Sequence, residues 1–264
     1  MTFRIRSIDY DHDGEALRGE LAWDDAWAAP RPCVVVVHDA MKSTQGFEEE
    51  RAVVLAGMGF AGFALDVYGR DVKGADEADA ARLMAPFQAD RLHLQARLRA
   101  GLAAAAALPE VDDRRMAAIG YCFGGLCVLD LARMNAELAG VASFHGLLSP
   151  PALPDDRDAL AGPIAPKVLV LHGWDDPYVP PEAIPAFAEE MSARGADWQL
   201  VAYGDTRHAF TNVRYHEPGG AALFSPAANR RSWQVLTDFL DELFGDGFGA
   251  DTQSGNRPRG KEDA

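Results

Sequence analysis

The segment Met116-Ala117-Ala118-Ile119-Gly120-Tyr121-Cys122-Phe123-Gly124-Gly125 constrains the fold more than any other part of the chain. A short apolar run suited to a buried strand leads into a glycine-flanked cysteine, and an apolar helical pattern, Leu126-Cys127-Val128-Leu129-Asp130-Leu131, follows it. That order predicts strand, sharp turn and helix. The turn residue takes a strained backbone conformation, and the glycines remove side chains that would collide between strand and helix. Such a turn presents its central side chain at the end of a sheet, which makes Cys122 a candidate nucleophile. The competing reading is a structural cysteine in a glycine-rich turn, because free cysteines are among the most buried residue types.

Elsewhere, short β-prone runs alternate with longer helical patterns, the signature of an α/β fold with helices on both faces of a mostly parallel central sheet. Val34-Val35-Val36-Val37 is a continuous β-branched run suited to a central strand buried on both sides, with Cys33 as a core neighbour. Further strands are expected at Phe60–Asp66, Met116–Ile119, Val141–Phe144, Lys167–Leu171 and Trp198–Val201. Helices are expected over Phe47–Met58, Gly125–Asn135 and Pro181–Arg194. Residues Ala75–Leu108 predict two helices, broken or kinked at Pro86. Trp233, Leu236, Phe239, Leu240 and Phe244 recur on one face of a final helix over Asn229–Phe244. The alternating Phe3-Arg4-Ile5-Arg6 and the turn residues Asp11–Gly14 predict a small antiparallel start. Ser149–Pro166 reads as a connecting loop. One domain over residues 1–246 is expected, followed by a disordered polar tail, 247–264.

Forty acidic against twenty-five basic residues give a formal charge of −15. A surface of that sign repels nucleic acid and anionic membranes, and no Lys/Arg cluster offsets it. The three cysteines, Cys33, Cys122 and Cys127, show neither the pairing of a disulfide framework nor zinc-site spacing, and a reducing cytoplasm suits them. The start of the chain lacks the apolar centre of a signal peptide, and no uncharged run is long enough to cross a bilayer.

In open α/β sheets ligands bind beyond the carboxyl ends of the strands, so the residues just after each apolar run carry the chemistry. After Leu171 comes His172-Gly173-Trp174-Asp175-Asp176-Pro177-Tyr178, a turn with two adjacent carboxylates. After Val201 comes Tyr203-Gly204-Asp205-Thr206-Arg207-His208-Ala209-Phe210. With Cys122, the chain order is nucleophile, acid, histidine, the order used by α/β-hydrolases. His208 would take the thiol proton and later deliver it to a leaving group, and Asp176 would hold the tautomer and orientation of the imidazole. Taken singly, His208 is a loop histidine and Asp176 a turn residue before proline; order and position together favour the catalytic reading.

These motifs, together with His208-Ala209-Phe210-Thr211-Asn212, Phe144-His145-Gly146-Leu147-Leu148 and Arg231-Ser232-Trp233, resemble the dienelactone hydrolase family over nearly the whole chain. The resemblance implies an α/β-hydrolase fold and a triad of Cys122, His208 and Asp176, with family spacing selecting Asp176 over Asp175. It implies an oxyanion hole made by the backbone N–H groups of Phe123 and Ala40, the latter in the loop after Val37. It also matches Asp39 to a glutamate that helps activate the cysteine, against a reading in which Asp39 only caps the following turn. No metal or cofactor is implied, and His38, His145 and His172 are not spaced as metal ligands.

The resemblance fails at substrate recognition. Two arginines that hold the carboxylate of a dienelactone are matched here by Asn212 and, in a looser alignment, by Glu77; Arg82, Arg91 and Arg214 lie nearby but out of register. Tyr68, Trp174 and Phe210 are candidate walls of a substrate pocket. The expectation is a cofactor-independent hydrolase acting on a small ester or lactone. Its rivals are a general carboxylesterase unrelated to aromatic degradation and a non-catalytic small-molecule binding protein on the same fold. A redox pair of Cys122 and Cys127 is disfavoured, because five residues spanning a turn and helix do not meet disulfide geometry.

Overall fold

The computed structural model describes residues 2–42, 46–151 and 162–245. Its strands are β1 (Phe3–His12), β2 (Glu15–Asp24), β3 (Arg31–Val37), β4 (Ala61–Leu65), β5 (Val111–Tyr121), β6 (Gly140–Phe144), β7 (Lys167–Gly173) and β8 (Trp198–Tyr203). Its helices are α1 (Phe47–Gly57), α2 (Glu77–Ala89), α3 (Arg91–Ala106), α4 (Phe123–Arg133), α5 (Ala183–Ala193) and α6 (Pro226–Phe244). The strands form one sheet in the order β1-β2-β4-β3-β5-β6-β7-β8. The β1–β2 and β2–β4 pairings are antiparallel, and every later pairing is parallel. The expected mixed α/β architecture is therefore present, including the antiparallel start.

The core divides as the pleat requires. Val35 and Val37 of β3 face one layer with Leu94 and Leu98 of α3, Leu126 and Leu129 of α4, and Phe187 of α5. Val34 and Val36 face the other, with Leu55 of α1 and Leu236, Leu240 and Phe244 of α6. Alternate side chains of one strand thus enter opposite layers, which is why the run is apolar throughout. Cys33 is fully buried in the first layer, and burial raises its thiol to about 12, an inert core thiol.

Three boundaries differ from expectation. Pro86 lies inside α2, and the chain breaks at Asp90, whose carboxylate accepts the His93 N–H at 2.9 Å and caps α3. β5 begins at Val111, ahead of the apolar run. Helix α6 begins at Pro226, because Ser225 Oγ accepts the Ala228 N–H and the proline occupies the first turn, where no amide partner is needed. Most of the expected 149–166 loop and all of the 247–264 tail lie outside the described residues.

Helix α4 is anchored at its far end by buried charge. Arg91 of α3 grips Asp130 with two hydrogen bonds of 2.6 Å, and Arg133 makes two of 2.8 Å to Glu190 of α5 while donating to the Leu148 carbonyl at 2.7 Å. Arg133 and Asp130 are fully buried. Removing one partner from such a network strands the others in a low-dielectric interior. Asp130→Ala is expected to lower unfolding free energy by about 3–5 kcal/mol, measured by urea denaturation; a loss comparable to an exposed ion pair would show that the network contributes nothing beyond surface charge.

Candidate active site

Cys122 is the hinge between β5 and α4, with φ 56° and ψ −113°. Such a backbone is costly for a side chain with a Cβ and persists only where the surroundings enforce it. Here they do. A Cβ on Gly120 would lie 2.0 Å from the Gly124 carbonyl oxygen, and one on Gly124 would lie 2.2 Å from the Val37 carbonyl oxygen. Helix α4 therefore starts directly against the ends of β5 and β3, which points the Cys122 side chain out of the sheet. The thiol is partly exposed, whereas Cys127 is fully buried one turn further on. At the N-terminus of α4 the side chain also meets the positive end of the helix dipole.

Cys122, His208 and Asp176 come together although they follow three different strands. Cys122 and His208 line the same cavity, and the charge of Cys122 acts on the imidazole. On the other ring nitrogen, His208 Nδ1 donates to Asp176 Oδ2 at 2.7 Å. The second Asp176 oxygen accepts the Tyr178 N–H at 2.9 Å, so the carboxylate is held at both oxygens. Asp176 is buried and Asp175 exposed, which separates the two neighbouring acids. Burial opposes charge on His208, but the charge of Cys122 and the charge and hydrogen bond of Asp176 outweigh it, raising the imidazole from 6.5 to about 10.

His145, at the end of β6, supports the turn from below. The Cys122 N–H is shared between the Phe144 carbonyl at 3.0 Å and His145 Nδ1 at 3.2 Å. Because an amide can only donate, Nδ1 accepts, and the ring proton sits on Nε2, donating to Thr211 Oγ1 at 2.9 Å. Burial and the nearby His208 push His145 well below the usual histidine range, so it stays neutral in this role. His38 is likewise committed: Nδ1 donates to the Asp39 carbonyl and Nε2 accepts the Val67 N–H, with burial lowering it to about 4. These rings fix loops. A separate trio, His12, Asp13 and His93, brings candidate ligand atoms within 4.8 Å of one another. Arg97 donates to His12 Nδ1 at 3.1 Å, which puts the proton on Nε2 and opposes metal ligation there.

A cavity of about 420 Å³ opens over Cys122. Ala40, Phe123, His208, His145 and Asn212 line it. The backbone amides of Ala40 and Phe123 donate to no acceptor among the described residues; for Phe123 this follows from its position in the first turn of α4. Asp39 also reaches the cavity, and its Oδ1 accepts the Met41 N–H at 2.8 Å, a turn-capping contact. Burial raises its carboxyl, against the pull of that amide and of the Arg214 and His208 charges. Beneath it, Glu48 Oε1 accepts the Asp39 N–H at 3.1 Å, and burial together with the Asp39 charge raises Glu48 to about 8. At neutral pH Glu48 therefore keeps its proton.

The three aromatics expected in the pocket wall are elsewhere. Tyr68 is buried under the β3 loop, stacked on Phe123 at 5.6 Å, with its hydroxyl donating to the Ala40 carbonyl at 3.1 Å. Phe210 is fully buried, its ring edge-on to His145 at 5.2 Å. Trp174 is 61% exposed on the outer side of its turn. Strand-end position alone did not separate a wall from its support. The aromatic and apolar lining comes instead from Tyr178 and Tyr215 and from Ala80, Ala81 and Met84 of α2. Tyr178 stood in the quoted acid turn; the α2 residues carried no motif that could have marked them.

The fold has clear counterparts. A solved structure titled m3DLH superposes with a TM-score of 0.86 at 37% identity, covering 92% of this chain and 100% of that one. A dienelactone hydrolase-like promiscuous phosphotriesterase, P91, from metagenomic libraries gives 0.84 at 36% identity, covering 93% and 100%. An uncharacterised Caenorhabditis elegans protein is 36% identical over 159 residues, 57% of this chain and 94% of that protein. A Salmonella typhimurium protein provisionally assigned as a carboxymethylenebutenolidase is 27% identical over 140 residues, but this match spans only 48% of its length. The family model described as the dienelactone hydrolase family matches residues 18–244, and the chain belongs to that family.

Proposed function

We propose that the chain hydrolyses a small ester or lactone by covalent catalysis, with Cys122 as nucleophile, His208 as general base and acid, and Asp176 as the residue that orients His208. The observation that carries this reading is one cavity lined by both Cys122, at a helix N-terminus, and His208, whose other ring nitrogen is hydrogen-bonded to Asp176. Thiolate attack on the substrate carbonyl carbon forms a tetrahedral intermediate, and its oxyanion accepts hydrogen bonds from the unpaired N–H groups of Phe123 and Ala40. Collapse breaks the ester C–O bond, His208 protonates the departing oxygen, and an acyl thioester remains on Cys122. His208 then removes a proton from water, which attacks the thioester and returns the thiolate. Asp39 serves chiefly to shape the oxyanion loop, adding a charge that acts on His208.

The reading assigns no cofactor, and it suits the cytoplasm, whose reducing conditions preserve a reactive thiolate. Among the described residues no helix is long and apolar enough to cross a membrane. A general carboxylesterase remains within this reading, since both use the same chemistry. A second activity, phosphotriester cleavage by the same thiol, is favoured by the 36% identity to P91 across 93% of the chain.

Cys122→Ala is expected to reduce hydrolysis of a chromogenic short-chain ester by at least about 10³-fold, and Asp176→Asn by roughly 10³–10⁴-fold in kcat. Wild-type rates in Cys122→Ala would remove Cys122 as the nucleophile, and ligand binding without turnover in the native chain would place the protein among the non-catalytic binding members. A paraoxon arm in the same assay tests the phosphotriester activity.

The imidazolium at His208 also sets a pH signature. Its folded value, about 10, lies above the ordinary 6.5, so its stabilising contribution is complete below about pH 6.5 and is lost as pH rises through 10. The stability difference between the native chain and His208→Gln should therefore shrink steadily from pH 6 to pH 10 in urea titrations. Iodoacetamide should alkylate Cys122 at pH 6 at least about tenfold faster in the native chain than in His208→Gln, whose thiol lacks a cationic partner. Equal rates would remove the ion pair from the mechanism.

A further inference from the structure

The cavity over Cys122 has a sign. Besides the reacting pair, its charged lining residues are Asp39 and Glu77, and neither lysine nor arginine lines it among the described residues. The two acids are not equivalent. Asp39 is half-buried, caps a turn and lies under the influence of Arg214. Glu77 is exposed at the first residue of α2 and forms no hydrogen bond or ion pair among the described residues. The helix dipole favours a carboxylate at that position.

Glu77 faces the same space as the nucleophile. Tyr178 is raised first by burial and then by the charges of Glu77 and Cys122. Tyr215 is raised to about 12 by burial, with Asp39, Cys122 and Glu77 adding to it. Both tyrosines line the cavity together with Glu77 and Cys122. The wall below is apolar, with Ala80, Ala81 and Met84 following Glu77 along α2. A carboxylate-bearing substrate would leave water for a cavity without a compensating cation and pass a fixed negative charge at the mouth.

We propose that this pocket selects uncharged, apolar esters and rejects carboxylate-bearing ones, with Glu77 as the discriminating residue. The inference rests on Cys122 as nucleophile, and it names a substrate class for that site. It makes Glu77 a specificity residue that touches the approaching substrate and takes no part in bond making.

The experiment compares 4-nitrophenyl hexanoate with the mono-4-nitrophenyl ester of adipic acid, matched in length and differing by a terminal carboxylate. The kcat/KM ratio of neutral to anionic ester is expected to fall by about threefold in Glu77→Gln and about tenfold in Glu77→Arg at low salt, with both effects shrinking in 0.5 M salt, a concentration at which exposed charges are screened beyond roughly one contact distance. Glu189→Gln, an exposed acid on α5, removes the same unit of total charge and should leave the ratio unchanged. A second readout needs no turnover: the rate of Cys122 alkylation by iodoacetate relative to iodoacetamide should rise in the order native, Glu77→Gln, Glu77→Arg. If the esters are hydrolysed in a Cys122-dependent way but neither ratio responds to Glu77→Arg, the selectivity proposal fails and the hydrolase reading stands. If no Cys122-dependent hydrolysis occurs, that reading fails, and the alkylation ratio alone decides whether Glu77 governs anion access.

Discussion

The site depends on one steric requirement: the first turn of α4 must touch the ends of β3 and β5. Gly120 and Gly124 permit that approach, because a single Cβ at either position would overlap a carbonyl oxygen. Everything functional follows from the contact. It forces the unusual backbone of Cys122, brings a helix N-terminus under the thiol, leaves the Phe123 amide without an internal partner, and sets it beside the Ala40 loop. The buried ion network around Asp130 and Arg133 secures the other end of the same helix, so the turn is held by fixed points on both sides. Strain at one residue is sustained by packing around many.

Electrostatics then divide labour among similar groups by environment. Four histidines stand near the cavity, His38, His145, His172 and His208, yet among them His208 has Asp176 hydrogen-bonded to its ring and feels the charge of Cys122, and burial fails to neutralise it. His38, His145 and His172 are all lowered by burial. The two carboxyls of the β3 loop show the same logic: Glu48, deeper and next to a negative neighbour, keeps its proton, while Asp39 meets backbone amides and cations. Residue type sets what a group can do, and its surroundings decide which form it takes.

The parts of this arrangement legible in the sequence were those with strong local grammar. The Gly120–Gly125 turn, the β-branched run of β3 and the acid and histidine after β7 and β8 each announce their geometry within a few residues. Pro86 misled because a proline is tolerated within α2, whereas Asp90, a capping acid, ends it. Tyr68, Trp174 and Phe210 misled for a different reason: adjacency to a strand end does not fix which way a side chain turns. Glu77, Met84 and Tyr215 reach the cavity through helix and loop placement in three dimensions, and no short spacing encodes that. Of the three expected aromatics, Tyr68 reaches the site indirectly, through the Ala40 carbonyl.

The loops that surround Cys122 come from positions as far apart as Asp39 and Tyr215, and the strands that aim them are paired in parallel, which demands long crossovers. During synthesis the cysteine therefore emerges well before its histidine, and on a growing chain it is an ordinary thiol without a base, an anion hole or a cavity. Reactivity arrives with the last strand of the sheet. On the proposed mechanism, the chain is thereby protected from its own chemistry until folding is complete, and an unfolded copy has nothing catalytic left to misdirect.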